Sequence, residues 1–419
     1  MKELPPGWRR VTFGEAAETA LGKMLDKGRP RGLPQVPYLR NINVQWGSID
    51  LGSVLKMELA DEERERFGLR AGDLLVCEGG EIGRAAIWRG SPGFMAYQKA
   101  LHRVRPNPGT EPSFLRYQLE CLANDGTLAR FSTGSTIAHL PQQALRAVPI
   151  ALPSVKTQRR IVAILEEHLS DLDEASGSLR SARERSDALW VSALRRAQEA
   201  AQKHGVVSSI GQLADTTLGK MLDAKRQMGE VTPYLRNINV RWGHFDLDDL
   251  QTTPLTDADR DRLVLEEGDL LVCEGGEPGR CAVWSQPESG IAFQKALHRV
   301  RIAEGRRLTP EFLAAMIEEG IRVGRWERFF TGTTIKHLPQ QQLRRLEVPV
   351  PPLQLQESLV AQLSEQRAAL DRLREQVSMS ERREQSLRQA VLAAAFSGRL
   401  TGHGSDTDAI KELAEEASA

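Results

Sequence analysis

Apolar and polar positions along this chain change period several times, and each change marks an element. Short runs with strand-like apolar content, YLRNINV (38–44), IDL (49–51), DLLVCE (73–78), AAIW (85–88) and ALHRVRP (100–106), are separated by Gly, Pro and Asn, the residues that turn a backbone. DEERERF (61–67) and PSFLRYQLECL (112–122) read as helices. After the proline-marked strand VPIALP (148–153) the period switches. Apolar or small residues then recur at spacings of four and three: Ile161, Leu165, His168, Leu172, Ala175, Leu179, Ala182, Ser186, Leu189 and Ala193. This is a heptad seam. It returns after VPVPP (348–352) as Leu359, Leu363, Gln366, Leu370, Leu373, Val377, Ser380, Glu384, Leu387, Val391 and Ala394. Each seam predicts a helix of roughly 40 residues, about 60 Å long at 1.5 Å per residue. Such a helix needs a partner along its length. The two are expected to pair antiparallel as a coiled coil, with polar seam residues setting the register.

The elements are also written twice. LGKMLD stands at 21 and 218, PYLRNINV at 37 and 233, GDLLVCEGGE at 72 and 268, QKALHRVR at 98 and 294, and TGSTIAHLPQQ (133–143) answers to TGTTIKHLPQQ (331–341). From Pro37 to Arg105 the second copy aligns without a gap, with about 40 positions identical. A repeat of this length makes each copy a domain. The expected fold class is α+β: two similar domains, 1–152 and 204–351, separated by two long helices, 153–203 and 352–403, with an acidic tail, 404–419.

Composition narrows the picture less. The 419 residues suffice for two domains with their own cores, and 56 basic side chains balance 56 acidic ones, so net charge points to no polyanionic partner. Cys77, Cys121, Cys273 and Cys281 form no CxxC pair and are expected to be reduced core thiols, with no metal site. MKELPPGWRR lacks a signal peptide's apolar run, and no stretch of about 18 apolar residues occurs, so a soluble cytoplasmic protein without a membrane partner is expected.

Catalytic motifs are weak. EGGEIGR (78–84) is followed by a strand, whereas a nucleotide loop opens a helix; LGKM lacks the Ser/Thr that would hold magnesium. Asp73, Glu78, Glu81 and Lys99, recurring as Asp269, Glu274, Glu277 and Lys295, are the one set a metal nuclease could use. The plain alternative is a turn entering a strand, with the glutamates paired to arginines such as Arg84. His102 and His139, recurring as His298 and His337, have no nucleophile motif beside them and are expected to be structural or DNA-facing.

DNA reading fits the pattern better. Arg and Lys grip phosphates or guanine edges, and Asn and Gln make paired bonds to adenine. Such groups gather near predicted turns: Lys23, Arg40, Asn41, Asn43, Gln45, Arg84, Gln98, Lys99, Thr133, Ser135 and Thr136. The second copy offers Lys220, Arg236, Asn237, Asn239, Arg241, Arg280, Gln294, Lys295, Thr331, Thr333, Thr334 and Lys336. Recurrence shows a shared constraint, of folding or of binding. The divergent segments, KGRPRGLPQV against AKRQMGEVT among them, are the other possible seat of base readers.

In their order, ELPPGW at 3–8, PYLRNINV, GDLLVCEGG, QKALHRVR, TGSTIAHLP, LEVPVPPLQLQ and AVLAAAFSGRL resemble the specificity subunits of type I restriction-modification systems, over nearly the whole chain. One departure is visible: the first long helix opens with LPSVKTQRRIV, where that family has two prolines and a Glu-Gln pair. The resemblance implies two target-recognition domains, each reading half of a bipartite site in double-stranded DNA, and paired helices that set the unread gap. It implies no catalytic residue and no cofactor in this chain. Two modification subunits would methylate adenines from S-adenosylmethionine, and restriction subunits would use ATP and magnesium, in antiphage defence. A stand-alone nuclease or DNA-modifying enzyme is the alternative reading, and a scaffold with two peptide-binding domains a third.

Because the copies share their polar candidates, the half-sites are expected to be similar in sequence and arranged as an inverted repeat. Mapping methylated adenines across the host genome checks this; two unrelated half-sequences would refute it.

Overall fold

The computed structural model describes residues 4–25, 32–90, 93–134, 138–221, 229–287, 290–305, 307–333 and 335–401, so the expected acidic tail lies outside the described residues. Strands and helices are mixed throughout, and the chain divides into two compact units, 1–179 with 378–419, and 180–377. Each long helix therefore contributes one half to each unit.

In the first unit, β1 (Arg9–Thr12) pairs antiparallel with β9 (Pro149–Leu152). Between them lie β2 (Ala17–Leu21), β3 (Gln35–Leu39), β4 (Leu55–Glu58), β5 (Leu74–Cys77), β6 (Ala85–Ile87), β7 (Ala96–Tyr97) and β8 (Leu101–Pro106). An antiparallel sheet has the order β2-β8-β5-β6, and a smaller one the order β4-β3-β7. β5 is buried along its whole length, as its unbroken LLVC run dictates. The second unit repeats the plan with β10 (Val206–Ser209), β11 (Ala214–Leu218), β12 (Glu230–Leu235), a small hairpin of β13 (Val240–Arg241) and β14 (His244–Phe245), β15 (Gln251–Leu255), β16 (Leu270–Cys273), β17 (Cys281–Val283), β18 (Ala292–Phe293), β19 (Leu297–Ile302) and β20 (Glu347–Val350). Its orders are β11-β19-β16-β17, β15-β12-β18 and β10-β20. Among the described residues no helix is long and apolar enough to cross a membrane.

Several local expectations change. YLRNINV is not one strand: the chain leaves β3 at Leu39 and turns through a 3-10 helix, Asn41–Asn43. The Asn43 side-chain oxygen accepts from Arg40 N (2.9 Å), and its amide donates to Asp50 O (3.0 Å) and Ser53 Oγ (3.1 Å), which bends the backbone. IDL makes one bridge, Val44 with Ile49, and no strand. DEERERF splits into a 3-10 turn, Asp61–Glu63, and one helical turn, Arg64–Phe67. PSFLRYQLECL lies in a helix, Pro112–Asn124.

The long helices run Val155–His204 and Leu353–Phe396. In the first unit Ile161, Leu165 and Leu169 pack with Val391, Leu392, Ala394 and Ala395. In the second, Trp190, Ala193, Leu194 and Ala197 share a core with Leu359 and Leu363. In the first unit Arg388, before that cluster on the second helix, reaches Asp173, after it on the first (2.7 Å); in the second, Arg374 reaches Asp187 (2.8 Å) while Arg367 lies over Trp190, so within each unit the helix halves run in opposite directions. The expected seam is corrected in places: Leu189 (58% exposed) and Leu373 (38%) face outward, and Trp190, one position on, is buried instead. The indole fits there because Glu318 accepts its N–H (2.8 Å).

Each long helix begins with a buried glutamine that ties down the loop before the domain helix. Gln158 accepts from Glu111 N (2.8 Å) and donates to Gly109 O (3.0 Å) and Pro153 O (2.9 Å). Gln356 accepts from Thr309 N (2.9 Å) and donates to Arg307 O (2.9 Å) and Pro351 O (2.8 Å). The unusual opening of the first helix thus leaves this contact intact.

A buried carboxylate completes each junction. Glu120 accepts from Arg116 (3.2 Å) on its own helix and from Arg388 (2.8 Å) on the second long helix. Glu318 accepts from Arg322 (2.7 Å), from Trp190 and from Arg367, whose guanidinium lies 4.5 Å from the Trp190 ring. Arg388→Ala removes one of the two cations from Glu120 and is expected to lower the unfolding free energy by about 2 kcal/mol, with partial recovery on adding Glu120→Gln. Guanidinium unfolding followed by tryptophan fluorescence measures both; equal stability of R388A and the natural chain would contradict it.

Candidate nucleic-acid interface

Four loops meet at one end of each sheet. Past β2 the chain approaches the β7–β8 turn so closely that a Cβ on Gly22 would lie 2.3 Å from Gln98 O, and one on Gly219 would lie 2.2 Å from Gln294 O. Only glycine fits. Lys23 N then donates to Tyr97 O (3.0 Å), and Lys99 N to Lys23 O (3.0 Å); Lys220, Phe293 and Lys295 repeat the pair of bonds. The EGG turn after β5 is held by Leu140 N, which donates to Glu78 O (2.7 Å), while Thr133 and His139 exchange two backbone bonds (2.8 Å each). In the second unit Leu338 N donates to Glu274 O (2.7 Å), and Thr331 pairs with His337.

There the loops border an open, shallow concavity of about 400 Å³ lined by Lys220, Met221, Glu274, Gln294, Lys295 and His337. Sequence-predicted Lys220, Gln294 and Lys295 meet in it. Lys23 and Gln98 are bridged in the same way in the first unit. Thr133, Thr331, Thr333 and Lys336 lie exposed on the adjoining loop, whereas Ser135, Thr136 and Thr334 lie outside the described residues.

Charge separates these groups. Lys23 pairs with Glu63 and Lys220 with Asp259, whose carboxyl is held below its ordinary range by the hydrogen bond from that lysine. Lys99 and Lys295 are exposed and make no ion pair among the described residues. They are the cations of this face most available to a phosphate.

Other candidates serve their own loops. Asn43 and Asn239 are buried, and Asn239 accepts from Arg236 N (2.9 Å) as Asn43 does from Arg40 N, so both are turn-formers. Arg40 donates to Ser53 O (2.7 Å), and Arg236 to Asp249 (2.5 Å). Arg84 and Arg280 clamp the backbone oxygens of Asn41 (3.0 Å) and Asn237 (2.8 Å) while pairing with Glu81 (3.2 Å) and Glu277 (2.9 Å). Gln45 donates to Ile42 O (2.9 Å), and Arg241 pairs with Asp246 (3.4 Å).

The nuclease set is not assembled. Asp73 precedes β5 and Glu78 follows it, about 16 Å apart at 3.3 Å per residue, too far to share one ion. Buried Asp73 takes two bonds from Arg105 (2.7 and 3.1 Å), as Asp269 does from Arg301 (2.7 and 2.8 Å). Glu81 and Glu277 accept from Trp46 (2.5 Å) and Trp242 (2.7 Å). No cluster of three or more His, Cys, Asp or Glu suits a metal among the described residues. His102 and His298 are buried on Leu140 O (2.8 Å) and Leu338 O (2.9 Å), and burial pushes both imidazoles below their ordinary pKa. Burial raises the Cys273 thiol to about 11 and the Cys77 and Cys281 thiols upward, so these three are poor nucleophiles.

Sequence reasoning missed the apolar members. Met24 (64% exposed), Met221 (64%), Ile42 (59%) and Ile238 (45%) stand in solvent at equivalent positions of the two copies. Their repetition beside Lys23 and Asn41 was the available signal.

Residues 5–176 match the type I restriction modification DNA specificity domain. The chain is 21% identical over 428 residues, 95% of its length and 90% of the relative's, to the type I restriction enzyme StySPI specificity subunit of Salmonella potsdam. It is 25% identical over 193 residues, 44% of its length and 41% of the relative's, to the type I restriction enzyme EcoKI specificity subunit of Escherichia coli (strain K12). A chain from a solved type I R-M system, described for its complex assembly and conformational transition, shares the fold with a TM-score of 0.67 at 18% identity, covering 95% of this chain and 100% of that one. Residues 5–176 thus carry the likeness to that specificity domain, and over 95% of its length the chain is similar to a type I specificity subunit.

Lys99→Ala and Lys295→Ala are each expected to flatten the salt dependence of DNA binding by about one unit of log K per log salt without altering stability. Titrations at several salt concentrations measure the slope; an unchanged slope in both variants would exclude these lysines from the interface.

Proposed function

We propose that this chain selects the DNA site of a type I restriction-modification complex and leaves the chemistry to partner subunits. The observation that carries the reading is the four-loop face, built twice from the same residue types, with an unpaired lysine beside a glutamine in each copy. Domains 1–152 and 204–351 each read half of a bipartite site. Lys99 and Lys295 hold phosphates, Gln98 and Gln294 face base edges, and the 133–136 and 331–336 loops supply further polar contacts. The long helices, 153–203 and 352–403, form an antiparallel coiled coil that fixes the number of unread base pairs; their unbroken lengths of 50 and 44 residues support this role. Two modification subunits carrying S-adenosylmethionine then methylate an adenine in each half-site, and restriction subunits carrying ATP and magnesium translocate and cut the DNA, in the cytoplasm.

The purified chain, incubated with target duplex and magnesium, is expected to bind in a salt-dependent manner and cut nothing. With modification subunits and S-adenosylmethionine it directs methylation to adenines in two half-sites. Cleavage by the chain alone would favour the stand-alone nuclease.

A further inference from the structure

A groove of about 560 Å³ opens on the second unit, lined by Arg325, Arg328, Arg344, Arg345, Gln198 and Phe329 among others. It lies at the opposite end of β11 from the reading loops. Gly211, just before that strand, donates its N–H to Arg344 O (2.9 Å), while Lys220, just after it, donates to Phe293 O (3.0 Å). A five-residue strand holds the two ends about 17 Å apart.

The groove is cationic and poorly neutralised. Arg325 pairs with Glu319 (2.6 Å), but Arg328, Arg344 and Arg345 have no carboxylate partner among the described residues. Arg328 and Arg345 stand over the Phe329 ring at 5.0 and 5.7 Å, which orders their planar forks before any ligand arrives. The lining includes one carboxylate, Glu347. Gln198 is 2% exposed, and its side-chain oxygen has no hydrogen-bond partner. A buried acceptor left unmade is costly, so a fitting ligand brings a donor as well as negative charge. A DNA backbone brings acceptors alone, whereas an acidic polypeptide brings carboxylates and main-chain N–H groups together.

We propose that this groove docks an acidic polypeptide segment of a partner subunit, its carboxylates on Arg328, Arg344 and Arg345 and a main-chain N–H on Gln198. The site belongs to one half of the protein. In the repeat, Arg325 and Arg345 answer to Thr127 and Ala147, and Gln198 and Gln202 to Phe396 and Leu400. Phe396 packs against Phe114 at 5.3 Å, and Leu400 is fully buried, so the first unit carries apolar packing at those positions. The two near-equal halves therefore offer partners unequal surfaces. This inference does not depend on which bases the chain reads.

A fluorescein-labelled oligoglutamate peptide is the probe, titrated against the full-length chain by anisotropy, with duplex DNA lacking the target site measured in parallel. The natural chain and the first-unit control R130E/R146E are expected to bind the peptide, and R344E/R345E to bind it about tenfold more weakly or worse while keeping its affinity for the duplex. Gln198→Leu, which leaves every charge in place, is expected to weaken peptide binding as well. Equal peptide binding by R344E/R345E and the natural chain overturns the proposal. So does a matching loss of duplex affinity in that variant, which would make the groove a phosphate site. Target-site binding of the same variants reports separately on DNA reading.

Discussion

Glu120 and Glu318 are buried carboxylates whose hydrogen-bonding capacity is filled only by two elements together. Each takes one partner from its own domain helix and another from a long helix, Arg388 in the first unit, Trp190 and Arg367 in the second. A domain that rotated on its helices would keep the arginine of its own helix but leave a buried carboxylate short of hydrogen-bond donors, at about 1–3 kcal/mol, and would lose the packing with it. Gln158 and Gln356 add a second, neutral tie at the start of each helix. The four-loop faces inherit this rigidity: their sheets share cores with the domain helices, and in the second unit Leu270, Val272 and Val300 lie in one cluster with Trp190, Leu194 and Leu363.

The two halves reach the same constraint by different chemistry. Arg388 and Trp190 occupy equivalent positions in the repeat, yet one meets its glutamate with a charge and the other with an indole N–H, the long-helix cation there coming from Arg367. The loop framework diverges far less. Gly22 and Gly219, His102 and His298, Asn43 and Asn239 keep the same contacts in both units. Keeping the loop frame while changing the junctions keeps the four-loop geometry alike in both halves and leaves their outer surfaces free to differ.

The mixture of helix and strand, the strand plan written twice and the long helices were legible in the sequence because each rests on local period or on direct repetition. What escaped depends on contacts between distant residues. NIN turns rather than extends because Asn43 finds Asp50 and Ser53, and the seam passes from Leu189 to Trp190 because Glu318 waits beside it. The candidate site was half legible. Lysines 99 and 295 and glutamines 98 and 294 do reach the loop face, but the Asn-Ile-Asn motif, which looked like a base reader, spends its buried asparagine on its own turn. Exposed Met24 and Met221 were passed over because their motif was weighed for phosphate binding alone.

We propose that the long helices act as a spacer between two independent readers. The direct test inserts one heptad into the middle of both helices and maps methylated adenines in cells that also carry the modification subunits. Seven residues add about 10 Å of helix, so both half-sites should keep their sequences while the unread gap grows by about three base pairs. An active enzyme with an unchanged gap, or with altered half-sites, would contradict it.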